Sequence, residues 1–427
     1  MKFKITSVDR EKNKVIHFFD NITQEIWTER GIPVKLSEDP RCQGMRRAFD
    51  RSEETNISND VRELRIQLGL NCNFGCKYCS QRHGAEIEKA AQKAVREIKM
   101  PDEIRIKNFI RTLKDKDIKM DRIALWGGEP FVYWKLLKKL IPAIREEYPD
   151  VVMSTITNGS LIDDEKVDFC LKHKIALTIS HDAQAFTVYR NDQNPLDNPK
   201  IIRALNRYMD AVEKMEKMWF GINVVVVPEN CDILKIDDYF TEKFGRKVKG
   251  WHFESIAKLD CDSEKVISKF SEEQKKLLLN GLMSLGTMEP SVAVSDIRGR
   301  VSRVLEGLIN CRSAEQKLFP CDVVCNDVIA TTLDGEMLAC HGASKEIFTI
   351  GHLKDLGSVK NTKCHSWKDR TDCASCPYVL LCGGACAISS NENVEAACEN
   401  MKLWYTGLFA SAWFILFDSV IQRIEKA

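Results

Sequence analysis

The sequence predicts an α/β fold: a partial, TIM-like (β/α)6 barrel, then a small cysteine-rich domain and a closing helix. Three observations carry this. Short apolar, β-branched-rich runs alternate with helical stretches between residues 64 and 258; cysteines crowd into 311–398; and the longest apolar run, Leu403 to Phe417, suits a buried helix. Strand–helix alternation implies a parallel sheet with right-handed crossovers, whose chemistry belongs at the carboxyl ends of the strands.

Residues 1–61 hold two strand-like runs, Lys2–Val8 and Lys14–Phe19, then Pro33, Pro40 and a charged stretch. They read as a β extension and linker, too short for a complete peptide-binding winged helix. A core over 62–260 follows. Its expected strands are Leu64–Leu70, Arg122–Trp126, Val151–Thr157, Ile175–Ser180, Gly221–Val227 and Trp251–Ile256. Glu86–Lys99, Val132–Glu147, Asp163–His173 and Pro199–Met218 read as helices between them. A helical bridge is expected over 261–310, the cysteine-rich domain over 311–400 and a C-terminal helix over 401–427.

Composition narrows the function classes. Lys+Arg 63 against Asp+Glu 62 leaves a formal charge of +1, so no global field draws nucleic acid or membrane. Met1–Thr6 leads into alternating charged sequence without a signal-peptide core, which gives a cytoplasmic expectation. The fifteen-residue run from Leu403 falls short of the roughly 20 residues that span a bilayer. Seventeen cysteines in such a chain favour metal ligation over disulfides.

The sharpest motif is Cys72-x3-Cys76-x2-Cys79, placed just after the first core strand. Three thiolates in eight residues suit a soft metal centre. They are one short of the four that a cubane iron–sulfur cluster takes, which leaves one iron open for chemistry. A zinc knuckle is the alternative. Gly127-Gly128-Glu129-Pro130 follows the second strand. There, glycines permit close approach to the backbone, and the carboxylate can accept from an ammonium; an ordinary turn is the alternative.

Together these motifs resemble the radical S-adenosylmethionine (SAM) superfamily. The resemblance implies that Cys72, Cys76 and Cys79 hold a [4Fe-4S] cluster whose open iron binds SAM, cleaved reductively to a 5′-deoxyadenosyl radical. It places Gly127, Gly128 and Glu129 on the amino group of SAM, Ser180 on ribose or carboxylate, and Arg190 on the carboxylate. Tyr78 and Val224 would pack against adenine. A surface ion pair for Arg190 and core packing for Val224 are the plain alternatives, and Asn158 and Asp182 serve either polar positioning or helix capping.

The second cysteine field runs Cys321-x3-Cys325-x9-Gly335-x4-Cys340, then Cys373-x2-Cys376-x5-Cys382-x3-Cys386, then Cys398. It resembles the SPASM extension, which binds two auxiliary [4Fe-4S] clusters, so three clusters are implied. By that resemblance Cys321, Cys325, Cys340 and Cys386 hold the first, with Cys311 as a substitute for Cys321; Cys373, Cys376, Cys382 and Cys398 hold the second. A zinc ribbon is the alternative. Asp334-Gly335 signals a hairpin that brings Cys325 and Cys340 together. His341 stands where sulfatase-maturating relatives carry a catalytic aspartate; it could accept a proton or be structural. Cys42, Cys170, Cys231 and Cys261 read as ordinary thiols.

The family implies hydrogen abstraction from a peptide or protein, in a maturase-type crosslinking or oxidation, with an electron donor such as flavodoxin or ferredoxin. A small-molecule, sugar or nucleotide substrate is the second reading, and a non-catalytic electron-transfer protein the third.

Overall fold

The computed structural model describes the chain apart from residues 39–56, 82–84, 87–88, 90–99, 249, 255–268, 289–294, 317–320, 322–323 and 361–363. Cys42, Cys261 and most of the expected helix Glu86–Lys99 fall outside the described residues.

Among the described residues the chain forms two sheets. The core strands are β4 (Asp60–Gln67), β5 (Lys119–Trp126), β6 (Val152–Thr157), β7 (Ile175–Ser180), β8 (Phe220–Val225) and β9 (Trp251–Glu254), paired in parallel in that order. Between them lie α1 (Asp102–Asp115), α2 (Trp134–Glu147), α3 (Asp164–Lys172), α4 (Pro199–Val212) and α5 (Leu234–Phe244). Helix α1 lies beyond the stretch expected to be helical before β5. Polar caps set several of the starts: Asp163 receives the Lys166 N–H at α3, and Asn198 receives that of Lys200 ahead of Pro199 at α4.

Period-2 alternation sorts the strands into two faces. Leu64, Ile66, Ile123, Leu125, Leu177, Ile179, Ile222 and Val224 join the core beneath the helices. Their neighbours Arg65, Gln67, Trp126, Ser180, Val225 and Glu254 therefore lie on the opposite, inner face. Four of these six, Arg65, Gln67, Ser180 and Glu254, are polar, unlike the face beneath the helices.

The cysteine-rich region does not begin a separate sheet. Strand β10 (Val328–Thr332) pairs in parallel with β4, from Val328 opposite Glu63 to Thr332 opposite Gln67. The hairpin continues through β11 (Glu336–Leu338) to β12 (Thr349–His352), and its turn is made at Gly335, whose φ of +89° suits glycine. Barrel and cysteine-rich region thus share one nine-stranded sheet.

The C-terminus corrects the expectation of a helix over 401–427. After α6 (Glu272–Thr287) and α7 (Ser295–Ile309), helix α8 runs Asn391–Phe417 and stops at Asp418, which is left-handed at φ 50°. Ser419–Lys426 is then strand β13, antiparallel to β1 (Lys2–Asp9). With β2 (Lys14–Asp20) and β3 (Ile26–Thr28) it makes a four-stranded sheet. Val420, Ile421 and Ile424 are β-branched among polar neighbours, and β1 offers them a free edge. Helix α8 packs beneath this sheet, with Phe409 against Phe19 and Trp413 against His17. It meets α6 closely: a Cβ on Gly407 would lie 2.5 Å from Leu282. None of the described helices is long and apolar enough to cross a membrane.

Candidate SAM and iron–sulfur site

The Cys72 loop leaves β4 at its carboxyl end and is clamped there by the turn after β5. Gly128 N donates to Gly69 O at 3.0 Å, and Glu129 N to Asn71 O at 2.9 Å. A Cβ on Gly127 would stand 2.5 Å from Gly69 O, and one on Gly128 2.3 Å from Asn71 O. The two glycines are thus required by the approach of backbone to backbone beneath the cysteine loop.

Glu129 is fully buried, and its carboxylate is taken up by the chain. It accepts from Phe131 N (3.0 Å), Thr157 Oγ1 (2.8 Å) and Asn158 N (2.7 Å). Burial raises its pKa, and these three donors oppose that. The side chain expected to meet an ammonium ties the turn after β5 to the end of β6. Asn158 carries the tie onward, donating to Asn73 Oδ1 at 2.8 Å inside the cysteine loop.

A second network fixes the other side of the loop. Asp182 accepts from Arg190 Nε and Nη2 at 2.8 and 2.9 Å, from Val225 N at 3.0 Å, and from the Tyr78 hydroxyl. The Arg190 guanidinium lies 5.5 Å from the centre of the Tyr78 ring. Arg190, expected on a SAM carboxylate, therefore holds a protein carboxylate through two of its nitrogens, while Nη1 takes no part in that pair. Ser180 ends β7 half-buried on the inner face. Val224 departs from its expected place: it is fully buried under the helices, on the same face as Ile222. Val225, one residue on, packs with Tyr78, Tyr189 and Val227. Strand parity decides this.

Cys72, Cys76 and Cys79 lie within electrostatic reach of one another. Burial raises the Cys72 thiol, with Cys79 adding to the effect; burial pushes Cys76 up to about 12, opposed by Arg190 and aided by Cys79 and Cys72. Metal-free, these two thiols are protonated at neutral pH, so ligation releases their protons. Phe74 N lies 3.3 Å from the Cys72 sulfur and Gln81 N 3.4 Å from that of Cys79. Hydrogen bonds of this kind stabilise cluster-bound thiolates. The loop fits an iron–sulfur cluster.

The later cysteines fall into two groups. Burial, then the charges of Cys386 and Cys321, raise the Cys340 thiol to about 12 against the Gly342 N–H. Cys311 is elsewhere, beside Glu25 of the N-terminal sheet. The other group is Cys373, raised to about 11 by burial and then by Cys376 and Cys398, and Cys382, raised to about 12 by burial with Cys373 and Cys376 adding. Sequence reasoning passed over Cys364, which packs with Cys340 and Cys386 against Ala339, Ala343, Phe348 and Ile388. Its nearest cysteine in sequence is Cys373, too far along for a short ligand spacing to mark it.

His341 lies on the inner face. Its ring is 3.9 Å from that of Trp126, Arg65 Nη1 stands 3.3 Å from Nδ1, and Gln67 donates to its carbonyl at 2.8 Å. The segment after Cys340 thus crosses from the hairpin onto β4 and β5.

Residues 66–236 match the Radical SAM superfamily model. Two solved structures share the fold across most of the chain. Native anSMEcpe with bound AdoMet is 20% identical at a TM-score of 0.59, covering 84% of this chain and 98% of that one. Native anSMEcpe with bound AdoMet and Cp18Cys peptide is 19% identical at 0.57, covering 83% and 98%. Residues 66–236 of this chain are thus similar to the Radical SAM superfamily, and the chain shares its fold with anSMEcpe.

Proposed function

We propose that this protein is a radical SAM enzyme of the SPASM type that abstracts hydrogen from a peptide or protein substrate. The observation that carries this is the separation of the cysteines into three groups, one with three thiols at the barrel mouth and two beyond the barrel. When bound, a [4Fe-4S] cluster and SAM supply a 5′-deoxyadenosyl radical. The chain's own part is positional. Cys72, Cys76 and Cys79 leave one iron free for SAM; the turn at Gly127–Glu129 braces the loop; Ser180 and the remaining nitrogen of Arg190 face the SAM carboxylate. His341, beside Trp126 and Arg65, takes a proton from substrate in this reading. Cys321, Cys325, Cys340 and Cys386 take the first auxiliary cluster, and Cys373, Cys376, Cys382 and Cys398 the second. A flavodoxin or ferredoxin supplies the electron.

The peptide reading is supported by the fold shared with anSMEcpe, one structure of which carries a peptide. The test is anaerobic reconstitution, then reduction with SAM and any short peptide found to be encoded beside the gene. Expected are 5′-deoxyadenosine and a peptide mass change that depends on both. Deoxyadenosine unaffected by any peptide would overturn the substrate class, and its complete absence from a protein holding its iron would overturn the enzyme.

A further inference from the structure

We propose that the buried Asp182–Arg190 pair sets the reduction potential of the cluster held by Cys72, Cys76 and Cys79, by fixing the net charge beside the cysteine loop. This rests on the radical SAM reading above and adds a role for two residues that face each other rather than the cluster.

The geometry is specific. Tyr78 sits between two of the ligating cysteines, and its hydroxyl binds Asp182. Cys76 packs against the apolar group of Tyr78, Ala185, Tyr189 and Val227. Arg190 covers the Tyr78 ring, and the backbone beside it is tied to the loop by Lys77 N on Tyr189 O at 2.8 Å. Both charged groups are withdrawn from water, with side chains 7% and 0% exposed. Charges in such surroundings are weakly screened and act at longer range than surface ions. Cys76 packs against the Tyr78 side chain that both groups touch. A cluster at that sulfur gains one negative charge on reduction and feels the same field. Its potential follows net charge and hydrogen bonding nearby.

The signs follow. Asp182→Asn removes the carboxylate and leaves the guanidinium uncompensated, which favours the reduced cluster and moves its potential upward. Arg190→Gln leaves a negative neighbour and moves it downward. With both changed, the charges again sum to zero and the potential returns towards the parental value. Damage to the loop would not reverse sign between the single variants or cancel in the double one.

The experiment is an anaerobic redox titration of the reconstituted full chain without SAM, followed by electron paramagnetic resonance. The relevant signal is the one absent from Cys76→Ala. Expected is a tenfold change in the reduced-to-oxidised ratio at fixed potential, about 59 mV for one electron, in opposite directions for the two single variants. Equal potentials in all variants, or shifts of one sign, would overturn the inference while leaving the enzyme reading intact. If no signal depends on Cys76, the enzyme reading falls and the inference with it. Should Asp182→Asn lose iron, Asp182→Glu decides: it keeps the charge, so a parental potential is expected beside the downward shift of Arg190→Gln, and an upward shift of about 59 mV in Asp182→Glu would refute the charge assignment.

Discussion

The Cys72 loop is fastened by groups at the ends of four strands, whereas the described residues between Leu353 and Ser390 form short turns. Around the loop, Gly69 after β4, Gly127–Glu129 after β5, Asn158 after β6 and Asp182 after β7 all bind it or its neighbours. In the cysteine-rich stretch the described elements are helical turns of three to six residues, at 353–358, 367–369, 373–375 and 379–382. They are pinned at their edges, by Trp367 Nε1 on Ala314 O at 3.0 Å and by Asn21 on the Ala374 and Cys376 carbonyls. The first site is thus shaped by the chain before metal arrives. Metal is expected to fix the shape of the later sites, as in small metal-bound modules.

The largest effect that can break this contrast is on chemistry. Cys76→Ala should reduce deoxyadenosine formation below detection, because two thiolates do not hold a cubane with one open iron. The other two sets should keep about eight of about twelve irons, four to a cluster. Iron and sulfide analysis beside chromatography of the reaction reads both. A total near four irons in the parental protein would remove the auxiliary sets.

Next in size is metal removal. Stripping the reconstituted protein with a chelator under reducing conditions should raise amide hydrogen exchange across 364–398 to the level of an unfolded segment. Peptides covering β5, β6 and β7 should keep their protection, since parallel strands beneath packed helices need no metal. Equal protection of 364–398 with and without metal would erase the distinction between the two regions.

What could be foreseen from sequence follows the same line. The cysteine spacings were legible because ligand geometry writes itself into short intervals, and the six core strands because burial on one face leaves a local pattern. The partners of Glu129 and Arg190 were not. Glu129 is occupied by Thr157 and Asn158, which arrive from the next strand. Arg190 is claimed by Asp182, read only as a cap or positioning group. The C-terminal strand was missed because its partner is β1, at the other end of the chain, although Val420 to Lys426 carries the polar and β-branched pattern of a strand. Val224 takes the core-packing alternative, because one residue along a strand is the opposite face.

Glu129→Ala tests whether the loop is held by protein or by ligand. Removal orphans two buried backbone N–H groups and the Thr157 hydroxyl, a loss of about 3 kcal/mol in folding stability. Urea unfolding of the metal-free protein measures it. A stability change near zero with a large drop in SAM affinity would return Glu129 to direct ligand binding.

The smallest effect concerns His181, next to Asp182 at the end of β7, and it asks how far the strand-end framework depends on pH. The ring is buried against Phe186 and donates from Nε2 to Asn194 Oδ1 at 2.8 Å, while Nδ1 accepts from Ala183 N at 3.0 Å. Protonation would set a hydrogen on Nδ1 against that N–H. Burial lowers the pKa from 6.5 to about 4, with the Asn194 bond opposing. The unfolded chain therefore binds a proton that the folded one refuses. Stability from this residue is complete above pH 6.5 and is lost as pH falls to about 4, at about 1.4 kcal/mol per pH unit. His181→Asn should be less stable at pH 7.5 and should lose less on acidification between pH 6.5 and 5. Comparing thermal midpoints of the metal-free parent and variant across that range isolates the residue. Parallel curves would mean that the imidazole charges in place and that the strand ends tolerate it.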